Sequence, residues 1–181
     1  MLGIVMAIGV AASAAIAGAQ QNLGFESTDE ARGLPVGWSF QGPADAAAAA
    51  ADAAVAAEGE RSLKVERTSA AGATRVTQRL AASSLAGAAG RAKRVRLSGY
   101  VRVAAGALAR PSLWLRIDGA KGPLYLDSDG VSGAAPDGAG AAAAPGSAAN
   151  LDWQRYEVEL PWPPDVKEIA LNVDARNLNT I

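Results

Sequence analysis

The chain alternates apolar and polar positions with a period of two over several separate stretches. In 94–102, Val95, Leu97, Gly99 and Val101 alternate with Arg94, Arg96, Ser98, Tyr100 and Arg102. In 112–118, Leu113, Leu115 and Ile117 alternate with Ser112, Trp114, Arg116 and Asp118. Successive side chains of a strand point to opposite faces, so this pattern predicts strands with one buried, aliphatic face. The two stretches read as neighbouring strands of one antiparallel sheet joined by a loop of small residues. Their other face carries Tyr, Trp, Arg and Asp.

The same period predicts further strands at 74–80 (Val76 and Leu80 inward, Gln78 between them), at Gly122–Asp127, at 153–160 and at 168–174. At 153–160, Tyr156, Val158 and Leu160 face inward and Arg155, Glu157 and Glu159 outward. At 168–174, Ile169, Leu171 and Val173 face inward. A short strand with Trp38 and Phe40 on one side is punctuated by Pro35 and Gly37. The alanine run at 44–57 has the composition of a helix, yet Gly59 stops it and Ser62–Arg67 resumes alternation. The expected arrangement is a hairpin of strands at 53–57 and Ser62–Arg67 turning at 58–60, behind a loose alanine loop, with helix as the alternative for 46–51. Residues 130–149 are Gly, Ala, Pro and Ser, too poor in apolar surface to offset their ordering entropy, and are expected to form a disordered insertion loop. Many short strands with irregular connections predict an all-β, antiparallel β-sandwich.

Composition narrows the function. A net charge of −1 over 181 residues lacks the basic excess of nucleic-acid proteins, so no nucleic-acid partner is expected. The chain has no cysteine and no histidine, which removes thiolate metal sites, the usual general base and the commonest zinc ligand. No nucleophile elbow, triad or phosphate-binding glycine loop is present, so no catalytic residue is assigned and the chain is not expected to be an enzyme. Residues 1–19 are apolar and uncharged and end in Ala17-Gly18-Ala19, a small-x-small cleavage pattern. They read as a secretory signal peptide lacking its usual basic residue near Met1, with 20–181 as the exported domain. An uncleaved membrane anchor is the alternative.

The ordered series NLGFE, LPVGW, EGERSLKVER, KRVRLSGYVRV, SLWLRIDG and DWQRYEVELPWP followed by VKEIALNV resembles the galactose-binding-like, jelly-roll domains of the carbohydrate-binding-module type. Such domains stand at the N-terminus of exported bacterial enzymes, including erythromycin-esterase-like proteins and tail-specific-type peptidases. The resemblance covers about residues 22–174. It implies a jelly roll lacking its last strand, and a non-catalytic accessory module of a longer enzyme whose C-terminal catalytic domain lies outside this chain. It also implies an oligosaccharide or cell-wall glycan as partner, in a periplasmic or extracellular setting. In this family the glutamate of the opening motif, here Glu26, can ligate a structural calcium. Tyr100, Arg102, Trp114, Arg116, Tyr125 and Asp127 are the candidate ligand-binding residues. Rings offer stacking surfaces for pyranose C–H groups, and Arg and Asp match hydroxyls. Cross-strand pairs decorating a solvated face explain the same residues, and a structural domain without a sugar ligand or an anchored surface protein is the alternative role. Asp127-Ser128-Asp129-Gly130 reads as a turn, Trp38 and Trp153 as packing residues, and Trp162 as a loop aromatic that either contacts ligand or plugs the sheet end.

Overall fold

The computed structural model describes residues 3–7, 22–69, 74–85, 94–104, 109–127 and 153–177. In chain order the strands are β1 (Gly3–Ala7), β2 (Thr28–Asp29), β3 (Leu34–Pro35), β4 (Trp38–Gln41), β5 (Ala47–Asp52) and β6 (Ser62–Arg67). They continue with β7 (Thr74–Ala81), β8 (Arg94–Val103), β9 (Ala109–Gly119), β10 (Gly122–Asp127), β11 (Gln154–Pro161) and β12 (Glu168–Asn177). Among the described residues there is no α-helix, only a 3-10 turn at Ala82–Leu85.

Two five-stranded sheets form, in the orders β11-β8-β1-β6-β5 and β10-β9-β12-β7-β4, and every strand pair is antiparallel. One hydrophobic cluster joins them. The first sheet contributes Leu63, Val65, Leu97, Val101 and Val158; the second contributes Trp38, Val76, Leu113, Leu115, Ile117, Ile169, Leu171 and Val173. The protein is therefore an all-β, sandwich-like domain whose core lies between the two inner faces. Arg67 ties the layers at one end: its side chain is buried and Nη1 donates to the carbonyl of Ala175 at 2.8 Å. Burial holds the Arg67 guanidinium below its usual pKa range.

The expected alternation holds in burial along β9, whereas every residue of β12 from Ile169 to Ala175 is buried. Leu113, Leu115 and Ile117 are fully buried, and Arg94 and Arg96 are exposed. Two expectations are corrected. The strands at 94–102 and 112–118 are not neighbours in one sheet. β8 pairs with β11 and β1, whereas β9 pairs with β10 and β12, so the chain crosses between layers after Val103. The reason is competition for partners: Leu113–Ile117 aligns with the equally apolar Ile169–Val173, burying both sets on one face.

The alanine run is also a strand, earlier than expected and not a helix. Ala47 pairs with Arg67 and Asp52 with Ser62, so the hairpin exists with a longer loop at 53–61. Pairing along β6 overrides alanine's helix propensity, and Asp52 closes the strand by accepting from the Ala54 N–H at 2.8 Å. Trp38 is a core residue as expected, tilted against Phe25 with centroids 5.2 Å apart. Trp162 is half-buried and packs against the core cluster, a plug at the sheet end. The insertion at 130–149 lies outside the described residues.

Leu115 sits at the centre of β9 with no exposed surface. Leu115→Ala is expected to lower stability by about 2–5 kcal/mol, through lost transfer energy plus a residual cavity. A urea unfolding curve with an unchanged slope checks it.

Candidate ligand-binding face

The outward face of the second sheet is assembled by register. Ser39 on β4 lies opposite Thr77 on β7, Thr77 opposite Asn172 on β12, and Asn172 opposite Trp114 on β9. Each row exists because the residues on either side of it point into the core. The side chains then bond along the row. Ser39 Oγ donates to the Thr77 carbonyl (3.2 Å) and Thr77 Oγ1 to Asn172 Oδ1 (2.7 Å); Asn172 Nδ2 donates to the carbonyls of Ala170 (3.3 Å) and Trp114 (3.4 Å). The next row places Ala170 between Arg79 and Arg116. A methyl group between two long side chains leaves a hollow, and a shallow cleft of about 80 Å³ lies there. Ser39, Gln41, Thr77, Ala170 and Asn172 line it together with Trp114 and the three arginines Arg75, Arg79 and Arg116.

Those arginines are charge-matched within the protein. Arg75 forms a bidentate pair with Asp174 (2.7 and 2.8 Å), and its guanidinium carbon lies 4.5 Å from the centre of the Trp114 ring. Arg79 pairs with Glu168 (2.5 Å) and Arg116 with Asp118 (2.7 Å). The hydrogen bonds to Asp174 and Asp118 hold Arg75 and Arg116 above the usual arginine pKa, so both stay cationic throughout. The cleft therefore carries an aromatic ring, two hydroxyls and two amides among three guanidinium groups, each charge-matched by a carboxylate beside it.

Of the residues expected from sequence, Trp114 and Arg116 belong to this face. Tyr125 and Asp127 lie in register with them on β10, Tyr125 opposite Arg116 and Asp127 opposite Trp114. Tyr100 and Arg102 do not join them, because β8 is in the other sheet. Tyr100 lies opposite Arg155, and the Arg102 guanidinium lies 5.8 Å from the centre of the Trp153 ring. Sequence reasoning missed Ser39, Arg75, Thr77, Arg79, Ala170 and Asn172. The outward alternation of Arg75, Thr77 and Arg79 in TRVTQRL was the signal available for three of them.

The outward face of the first sheet is a lattice of ion pairs. Arg94 pairs with Glu159, Arg96 with Glu157 (3.2 Å) and Glu159 (2.9 Å), and Arg155 with Glu157 (2.9 Å). The basic stretch at Arg94 and Arg96 thus faces carboxylates of its own sheet.

Glu26 lies in a loop that Asn22 organises. Asn22 donates to the carbonyls of Ser27 (2.7 Å) and Val36 (3.1 Å) and accepts from the Ser27 N–H (2.8 Å). The Glu26 carboxylate accepts from the Glu60 N–H at 3.1 and 3.3 Å. Calcium takes six to eight oxygen ligands, and among the described residues no three acidic groups come together. The Glu26 carboxylate thus serves here as an acceptor that ties the opening loop to the 58–60 turn.

Compared with protein-family models, with curated proteins and with solved structures, the chain matches none. The fold defines the class alone: an all-β, sandwich-like domain of antiparallel sheets.

Gly59 has φ +70°, and a Cβ there would collide with the Glu26 carboxylate. Gly59→Ala is expected to cost about 1 kcal/mol or more from the backbone conformation and the displaced Glu26. Pairing it with Glu26→Ala in a double-mutant cycle should recover part of that loss. Glu159 gives the pH dependence. The hydrogen bond from Arg96 depresses its pKa below the ordinary 4.5. Its stabilisation is therefore present above about pH 4.5 and is lost as the pH falls through the lower, folded value. A pH series of melting temperatures should show Glu159→Gln flattening the acid limb and leaving the limb above pH 5 parallel to that of the parent.

Proposed function

We propose that this chain is a non-catalytic module that binds a neutral oligosaccharide or cell-wall glycan across the outward face of β9, β12 and β7, on a jelly-roll framework of the galactose-binding-like kind. The observation that carries this reading is the charge-matched cleft beside Trp114. A ring, amides and hydroxyls without surplus charge suit a polyol better than an anion or a cation. About 80 Å³ is far below the roughly 300–1,000 Å³ of an engulfing small-molecule pocket. The ligand therefore lies across the sheet and does not insert into it, which is the geometry of a weak glycan platform. Service as the accessory module of an exported enzyme belongs to the same proposal and rests on the resemblance.

A second reading, a structural or interaction domain without a sugar ligand, is favoured by one observation. Arg75, Arg79 and Arg116 each already have a carboxylate partner, and Thr77 and Asn172 bond to each other.

Affinity electrophoresis through gels of soluble polysaccharides separates the two. The parent is expected to be retarded by at least one neutral glycan. Trp114→Ala, which removes the ring, and Ala170→Leu, which fills the hollow, should each weaken retardation at least about tenfold, or about 1.4 kcal/mol. Retention of the parent's far-ultraviolet spectrum controls for folding. No retardation of the parent by any glycan gives the second reading.

A further inference from the structure

β1 is a central strand supplied by the most apolar segment of the chain. Gly3–Ala7 runs antiparallel to β6 on one side and β8 on the other. Ile4 is in register with Val65 and Val103, and Met6 with Leu63 and Val101. Of these neighbours, Leu63, Val65 and Val101 are at most 2% exposed. Gly3 and Val5 are in register with the polar positions Glu66, Lys64 and Arg102. Ile4 and Met6 thus fall on the apolar rows of both neighbours, and the strand as a whole is uncharged, with Val5 on the polar row.

Strands lie about 4.8 Å apart, so removing β1 would leave β6 and β8 separated by roughly twice that distance, too far to pair. Two rows of backbone N–H and C=O groups would then face each other above the core without partners, a costly state. The same residues read as a leader released after Ala19. A released leader would take this strand away, so the two roles exclude one another in one folded molecule.

We propose that the channel between β6 and β8 is a strand-acceptor site whose occupant is this chain's own Gly3–Ala7, an integral and exchangeable donor strand of the folded domain. The acceptor selects an uncharged antiparallel strand of about five residues, with its apolar positions beside Leu63, Val65 and Val101. Glycan binding is proposed on the other sheet and has its own test, so the two readings fail independently.

The experiment uses the purified full chain with a specific protease site inserted after Ala12. After cleavage, gel filtration and mass spectrometry follow the N-terminal fragment, and near-ultraviolet circular dichroism follows tertiary packing. The fragment is expected to co-elute with the remainder and to leave only in denaturant. A labelled synthetic peptide of residues 1–9 should exchange into the cleaved protein. Val5→Pro, which deletes a strand N–H, should make the fragment separate on cleavage. Separation of the parent's fragment with loss of the near-ultraviolet signal, restored by added peptide, supports the proposal equally. Three results overturn it: separation with spectrum and melting temperature unchanged, a lost signal that the peptide does not restore, or a Val5→Pro fragment held as firmly as the parent's.

Discussion

The outward face of the second sheet depends on the register between β9 and β12. Leu113, Leu115 and Ile117 lie opposite Val173, Leu171 and Ile169, and all six are buried. Because the pleat has a period of two, a slip of one residue would turn this set outward and bury Trp114 and Arg116 in its place. Burying an unpaired guanidinium group costs several kcal/mol, on top of the lost apolar contacts. β7 locks onto the same frame through Val76 opposite Val173. The row of Ser39, Thr77, Asn172 and Trp114 is thus set by core packing, and its own hydrogen bonds refine an alignment already made.

The two outward faces differ in chemistry more than in charge. On the first sheet, long arginine and glutamate side chains cover the surface in mutual pairs, and exposed pairs of that kind contribute little to stability. On the second sheet the arginines are also paired, but the small Ala170 interrupts the cover and leaves a shallow cleft over the buried Thr77 and Asn172, beside the half-buried Trp114. A flat, charge-matched surface with one aromatic is where a polyol can exchange water for stacking at low cost. That contrast, and not a surplus of either charge, is what sets the second sheet's outward face apart as the candidate for the proposed binding.

Alternation made most strands legible: 74–80, 94–102, 112–118, Gly122–Asp127 and 168–174 all fall within strands. Which sheet each strand joins was not legible. Sequential strands are neighbours in roughly two-thirds of cases, and the short connection after Val103 made β8 and β9 look like a hairpin. The deciding quantity was the match between two distant apolar triplets, a tertiary property that no local window contains. That error put Tyr100 and Arg102 on one face with Trp114 and Arg116, from which the sheet order separates them. The alanine run failed for a related reason, since its preference for helix amounts to a few tenths of a kcal/mol per residue and a full ladder of bonds to β6 outweighs it. Ala170 was invisible as a site residue because its contribution is a missing side chain.

The edges of the sheets show what the centre requires. β5 is an alanine strand closed by Asp52, and β11 alternates Arg155, Glu157 and Glu159 before Pro161. β4 has four residues, and β10 opens with Gly122-Pro123. Short length, charge and proline each discourage another chain from adding to an edge. The channel that β1 fills has none of these guards on its core side, where Leu63, Val65 and Val101 border it. A domain with blunted outer edges and an unguarded inner channel is stable only while the channel is filled. The filling strand must be uncharged and apolar, the same demand that a secretory leader meets. One composition therefore satisfies two physical requirements, and the strand pairing, not the composition, distinguishes them.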